Sequence, residues 1–156
     1  RPLPTARDKR IDIVMACVVL CRDDRFFIQQ RLADDIWGGL WEFPGGRLED
    51  GETPLAAARR EVADETGWQV GQLEPLDTVI HHYTRYRVTL HGFVGHLPEG
   101  AGAAQLTAAQ RSAWVTAAEL ADYPFPAGHR RLAQRLRRDF SGKKEPLSLQ
   151  EKKTVP

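Results

Sequence analysis

The stretch Gly45-Gly-Arg-Leu-Glu-Asp-Gly-Glu-Thr-Pro54, continued by Arg60-Glu-Val-Ala-Asp-Glu-Thr-Gly-Trp68, decides how this chain is read. Thr53 has the side chain of a helix N-cap, Pro54 suits the first helical position, and Gly67 suits the left-handed residue that ends a helix. The helix between them should run about three and a half turns. Along it Leu55, Ala58 and Val62 recur at helical spacing and are expected to face a core, while Glu61, Asp64 and Glu65 gather on another face. Three acids on one patch repel each other unless a cation neutralises them. Oxygen-only ligands suit a hard ion such as Mg2+, which readily shares its shell with substrate phosphates. Arg60 stands beside Glu61 and is placed to hold that carboxylate. A solvated acidic face balanced by Arg59 and Arg60 is the alternative that these residues alone leave open.

With its glycines included, the stretch resembles the signature of the Nudix hydrolases: a Gly, a Glu, then Arg-Glu-hydrophobic-x-Glu-Glu-x-Gly-hydrophobic at fixed spacing. Here those positions are Gly46, Glu52, Arg60, Glu61, Val62, Asp64, Glu65, Gly67 and Trp68. Asp64 departs from the family's Glu; it keeps the charge one methylene short, so it would reach a metal through water. The resemblance implies an α/β fold in which a mixed β-sheet is sandwiched between helices (α/β/α), and an enzyme that cleaves nucleoside diphosphates linked to another group. It also implies Mg2+ or Mn2+ held by Glu61, Asp64, Glu65 and a backbone carbonyl of Gly45 or Gly46. Arg60 would orient Glu61, Glu52 would brace the loop, and Glu52 or Glu65 would position the attacking water.

Composition agrees with a single domain and a real core: 156 residues, 42% hydrophobic and 28% charged. A net charge of +1 exerts no general pull on nucleic acid or membrane. The longest apolar run, Ile13 to Cys21, is too short to span a bilayer, and a cytoplasmic location is expected. Cys17 and Cys21 would lie on one strand, pointing the same way and too far apart to bond. Residues 1–10 read as a linker or flexible N-terminus, 11–140 as the folded domain and 141–156 as a disordered tail.

Ile11 to Leu20 has the β-branched, apolar character of a strand buried on both faces, with Arg25 to Arg31 as its partner across a turn at Asp23 and Asp24. Arg31 ends that second strand either at a substrate phosphate or on plain surface. The run Leu40-Trp-Glu-Phe-Pro-Gly-Gly46 resembles the MutT-type group that acts on oxidised nucleoside triphosphates such as 8-oxo-dGTP. That likeness implies a monophosphate and pyrophosphate as products, and places Phe43 near the purine. Val70 to Pro75 reads as a connector, and Thr78–Thr84 and Arg87–His96 as neighbouring strands.

Between those strands, His81-His-Tyr-Thr-Arg85 is similar to a segment of the C-terminal domain of MutY-type adenine DNA glycosylases, which reads 8-oxoguanine in DNA. This second likeness implies Tyr83 and Thr84 as base contacts, and an alternative identity as a lesion-reading module. Pro98 to Ala109 is a small-residue loop expected to move. In MutT-type enzymes a carboxylate precedes the Trp matching Trp114 by six residues; here that position is Ala108. Where the same group has a base-reading Asn after Pro-Ala, this chain has Gly128 and His129. Leu132, Leu136 and Phe140 mark the buried stripe of a last helix whose other faces carry arginines. The expected partner is a nucleoside triphosphate or, under the alternative, DNA bearing 8-oxoguanine, with the protein a monomer or homodimer.

Overall fold

The computed structural model describes residues 9–140, so the tail expected from Ser141 and all but the last two residues of the expected linker lie outside the described residues. The hub is β1 (Ile11–Arg22), which pairs in parallel with β6 (Tyr86–His96) from Ile11 to Cys21. On its other side β1 turns at Asp23 into antiparallel β2 (Arg25–Arg31), while its middle, Met15 to Cys17, takes the short strand β4 (Gly45–Arg47). β2 therefore leaves β1 early and pairs instead with β3 (Trp41–Glu42) and β7 (Ala109–Thr116). β5 (Leu73–Tyr83) closes the far edge against β6.

Central position explains the composition of β1. Ala16 through Cys21 are buried on both faces, where alternation of polar and apolar residues would strand a polar side chain. Its even residues Ala16, Val18 and Leu20 pack under α1 (Pro54–Thr66), with Phe27, Phe93 and Trp68. Its odd residues Cys17, Val19 and Cys21 pack under α2 (Ala127–Phe140), with Phe26, Leu90, Leu132, Leu136 and Phe140. The two helices thus cover opposite faces, which is the expected α/β/α sandwich. Cys17 and Cys21 are buried thiols outside any disulfide.

The caps of α1 are as read: Thr53 Oγ1 accepts from the Ala56 amide at 3.1 Å, and Gly67 ends the helix at φ 81°. One core position differs. Leu55, in the first turn, is 39% exposed, and the stripe is carried by Ala57, Ala58 and Val62, small side chains that let the helix lie close on the strands.

Two segments expected to be irregular are ordered by backbone pairing. β5 already begins at Leu73, and tolerates Pro75 because an edge strand has a side without a partner and the register shifts there. The loop after β6 is fastened to the end of α1 by Gln105 N to Thr66 O at 2.8 Å and by Thr107 Oγ1 to Asp64 O at 2.8 Å. Among the described residues no helix is long and apolar enough to cross a membrane.

Leu132 reaches into a notch left by Gly92, whose absent Cβ would stand 3.0 Å from Leu132 Cδ2. Leu132→Ala is expected to cost about 2–5 kcal/mol and Gly92→Ala about 1–3 kcal/mol. The double variant should cost less than their sum, because truncating Leu132 clears the space the new methyl needs; chemical denaturation of the four proteins measures the cycle.

Candidate active site

The site starts from one arginine. Arg60 Nε and Nη2 donate to the two carboxylate oxygens of Glu52 at 2.6 and 3.0 Å, Nη2 also reaches the Arg47 carbonyl at 3.1 Å, and Nη1 donates to Glu61 Oε1 at 2.5 Å. This charge-assisted set, with the Glu49 amide, lowers the Glu52 carboxyl to about 2 and raises Arg60 further. Loop and helix are joined by it. Glu61 then lies against Gly46, where a Cβ would stand only 2.6 Å from Glu61 Oε2.

Glu65, one turn on, is 8% exposed and shares a hydrogen bond with Glu61. Burial, then the Glu61 bond and the charge of Glu42, push it up to about 9, against the stabilising bond from Gln29. Its Oε1 accepts from Gln29 Nε2 at 2.8 Å and from the Gly45 amide at 3.3 Å. Gly45 is forced close by pairing with β1; a Cβ there would meet the Ala16 carbonyl at 2.1 Å.

The structure brings Glu61 and Glu65 together but not Asp64, whose side chain is 67% exposed and 3.8 Å from Arg60. Among the described residues no three His, Cys, Asp or Glu side chains are gathered closely enough to hold an ion by themselves. The shorter aspartate, with Arg60 one turn before it, is left at the rim. The remaining donors still suit a hard cation. Two acidic side chains this close, one of them buried, are the kind of pair a divalent ion relieves, and Mg2+ is commonly held by one or two carboxylates plus substrate phosphates.

From Glu65 a chain of polar side chains leads away from the helix. Gln29, wholly buried, donates from Nε2 both to Glu65 and to Glu42 Oε2 at 3.2 Å, and its Oε1 has no partner among the described residues. Glu42 Oε1 accepts from Arg31 Nη1 at 2.8 Å; burial raises the Glu42 carboxyl and the arginine offsets part of that rise. Neither Gln29 nor Glu42 was singled out from the sequence, although a charged residue inside the aromatic run Trp41-Glu-Phe43 and an amide inside Phe26-Phe-Ile-Gln29 were available signals.

Arg31 and Glu42 form part of the wall of a cavity of about 460 Å³, which also meets Trp37, His81, Tyr83 and His129. Arg31 is fixed rather than loose: Nη2 reaches Asp35 Oδ2 at 3.0 Å and Nε the Ile36 carbonyl at 2.9 Å. The Phe43 amide donates to His129 Nδ1 at 3.1 Å, so that ring's hydrogen sits on Nε2, which has no partner among the described residues. Burial and then the charges of Arg31 and His81 lower His129 to about 3, keeping it neutral. Phe43 itself is wholly buried, stacked between Phe125 at 5.6 Å and His129 at 5.9 Å, and supports the cavity from beneath. Tyr83 stands in the wall, 52% exposed, whereas Thr84 forms the adjoining turn at φ 50° outside it.

The NUDIX domain family matches residues 15–135. The chain is 42% identical over 87 residues to the 8-oxo-dGTP diphosphatase of Proteus vulgaris, covering 56% of this chain and 78% of that one. It is 35% identical over 131 residues to the putative 8-oxo-dGTP diphosphatase 2 of Mycobacterium tuberculosis, covering 83% and 86%. In fold it is similar to a structure reported for MutT from Aliivibrio salmonicida and Vibrio cholerae, with a TM-score of 0.71 at 24% identity over 83% of this chain and 100% of that one. The likeness of His81–Arg85 to a glycosylase domain finds no support in these relatives. With its signature intact at every position but Asp64 and the family's match running over residues 15–135, the chain belongs to the NUDIX domain family.

Proposed function

We propose that the protein is a divalent-metal-dependent pyrophosphohydrolase that splits a nucleoside triphosphate of the 8-oxo-dGTP kind into the monophosphate and pyrophosphate. The observation that supports this reading best is the unbroken polar path Arg31–Glu42–Gln29–Glu65–Glu61–Arg60, which joins a nucleotide-sized cavity to the carboxylates of the signature. The names of the relatives give the substrate class.

Glu61 and Glu65 would hold Mg2+ or Mn2+, with the Gly45 carbonyl beside them and Asp64 reaching it through water. Such an ion, when bound, supplies charge neutralisation at the phosphates. The rest belongs to the chain. Arg60 keeps Glu61 aimed. Glu52 has both oxygens engaged, by Arg60 and by the Glu49 amide at 2.8 Å, so it braces the loop rather than moving a proton. Freed of its proton when the cation is bound, Glu65 is the carboxylate left to accept one from the attacking water, a role that the alanine at position 108 cannot fill. On the cavity side Arg31 and Arg47 would face the phosphates, Tyr83 would contact the base beside the Thr84 turn, and His129 Nε2–H would donate to a carbonyl oxygen of the base.

Glu65→Gln should lower kcat by about two to four orders of magnitude, read as pyrophosphate release from a panel of canonical and oxidised triphosphates with Mg2+. Release that survives this change would remove the assignment of Glu65. The neutral state of His129 is tested by acid. A folded pKa of about 3 against an ordinary 6.5 means that the unfolded chain takes up the proton first, so stability present above pH 6.5 is lost as pH falls toward 3. His129→Asn lacks this loss. The stability gap between wild type and variant should therefore shrink on acidification, by up to about 1 kcal/mol per pH unit, in denaturant melts between pH 7 and 4.

A further inference from the structure

Trp37 is an anomaly by ordinary folding criteria. It is not glycine, yet its backbone lies in the left-handed region at φ 57°, and its indole is 46% exposed, so burial does little to offset the strain. Nor is the loop that carries it slack. Between β2 and β3, Ile36 N bonds Asp35 Oδ1 at 2.8 Å, Gly38 N bonds Asp35 O at 2.9 Å, and Leu40 N bonds Trp37 O at 3.2 Å. Gly38 is pressed so closely against Ala33 that a Cβ would stand 2.3 Å from its carbonyl oxygen. The turn presents the ring in one place.

What the indole meets there is Tyr83, on the tip of the β5–β6 hairpin, edge to face at 5.6 Å and 81°. The residue after Tyr83, Thr84, is also left-handed, at φ 50°. Two strained turns, far apart in sequence, thus bring half-exposed aromatic rings together at the cavity. Backbone strain retained beside a cavity is a mark of use, and a ring face near an open space is what a flat heteroaromatic ligand stacks on.

We propose that Trp37 and Tyr83 are a clamp that closes on the face of the nucleobase, Trp37 being a specificity-determining residue that favours the larger purine ring over a pyrimidine. This deepens the reading given under Proposed function and rests on it for the nature of the ligand. His129 would address the edge of the base and Trp37 one of its faces, with Tyr83 standing across the indole at the side. Stacking gains with overlap, so the bicyclic ring draws more from the pair than the monocyclic one.

The test reads the ring directly. Tryptophan fluorescence is titrated with dGTP and with CTP in the presence of EDTA, so that binding is followed without turnover or a bound metal. Wild type should be quenched by dGTP; Trp37→Phe should lose that quench, and Tyr83→Ala should weaken dGTP binding about tenfold while weakening CTP binding less. With Mg2+ restored, Trp37→Ala should raise KM for the purine triphosphate about tenfold and leave kcat within about twofold. A quench of equal size in Trp37→Phe, no quench in wild type, equal losses for both bases, or a change in self-association with nucleotide binding untouched would each overturn the clamp. Quenching with no hydrolysis of any triphosphate would keep the clamp and remove the proposed reaction instead.

Discussion

The arrangement of the signature depends on the guanidinium of Arg60. It lies between the loop that precedes α1, through Glu52 and the Arg47 carbonyl, and the helix itself, through Glu61. Glu49, Glu52, Glu61 and Asp64 all have a carboxylate oxygen within 3.8 Å of it. Without that cation these acids would repel one another and the loop would have no reason to return to the helix. With it, Glu61 is seated on Gly46 and bonded to the buried Glu65, and the direction of the remaining contacts is set.

The sheet divides the labour between its two faces. α1 brings the acids to one face, while α2 brings His129 to the other, and β1 is packed on both sides in between. Gln29 and Glu42 bridge this separation from neighbouring strands β2 and β3. Placing an amide and a carboxylate in such surroundings is costly unless each is bonded, and the Arg31 and Glu65 contacts supply most of that need. The Gln29 Oε1 has no partner among the described residues, and such an atom adds to the cost of burying this amide.

Much of this was legible in the chain. The helix from Pro54 to Thr66 and its caps follow from Thr53, Pro54 and Gly67, and β1 follows from its unbroken apolar run. What could not be read were properties set by distant partners. Asp64 shares a helical face with Glu61 and Glu65, but spacing does not reveal that it stays at the rim near Arg60. The glycine and alanine run after His96 looked mobile because its fasteners are backbone groups of Thr66 and Asp64, which no side-chain pattern announces. Leu55 has the right period and the wrong end of the helix. Nothing in the spacing of Trp37 tells it from Trp41 in the same aromatic stretch; its backbone angle and its meeting with Tyr83 do.

Phe43 and Gly45 are separated by one proline, and their amides serve opposite ends of the site: the first bonds His129, the second Glu65. A single intervening peptide ring, with its torsion locked, therefore fixes the span from imidazole to carboxylate. Pro44 is itself moored, its carbonyl accepting from the Val18 amide at 2.9 Å in the most deeply packed strand. Flexing of either helix can part the two ends of the pocket only by breaking one of these bonds, because the yardstick between the two amides is covalent and is bolted to the centre of the sheet.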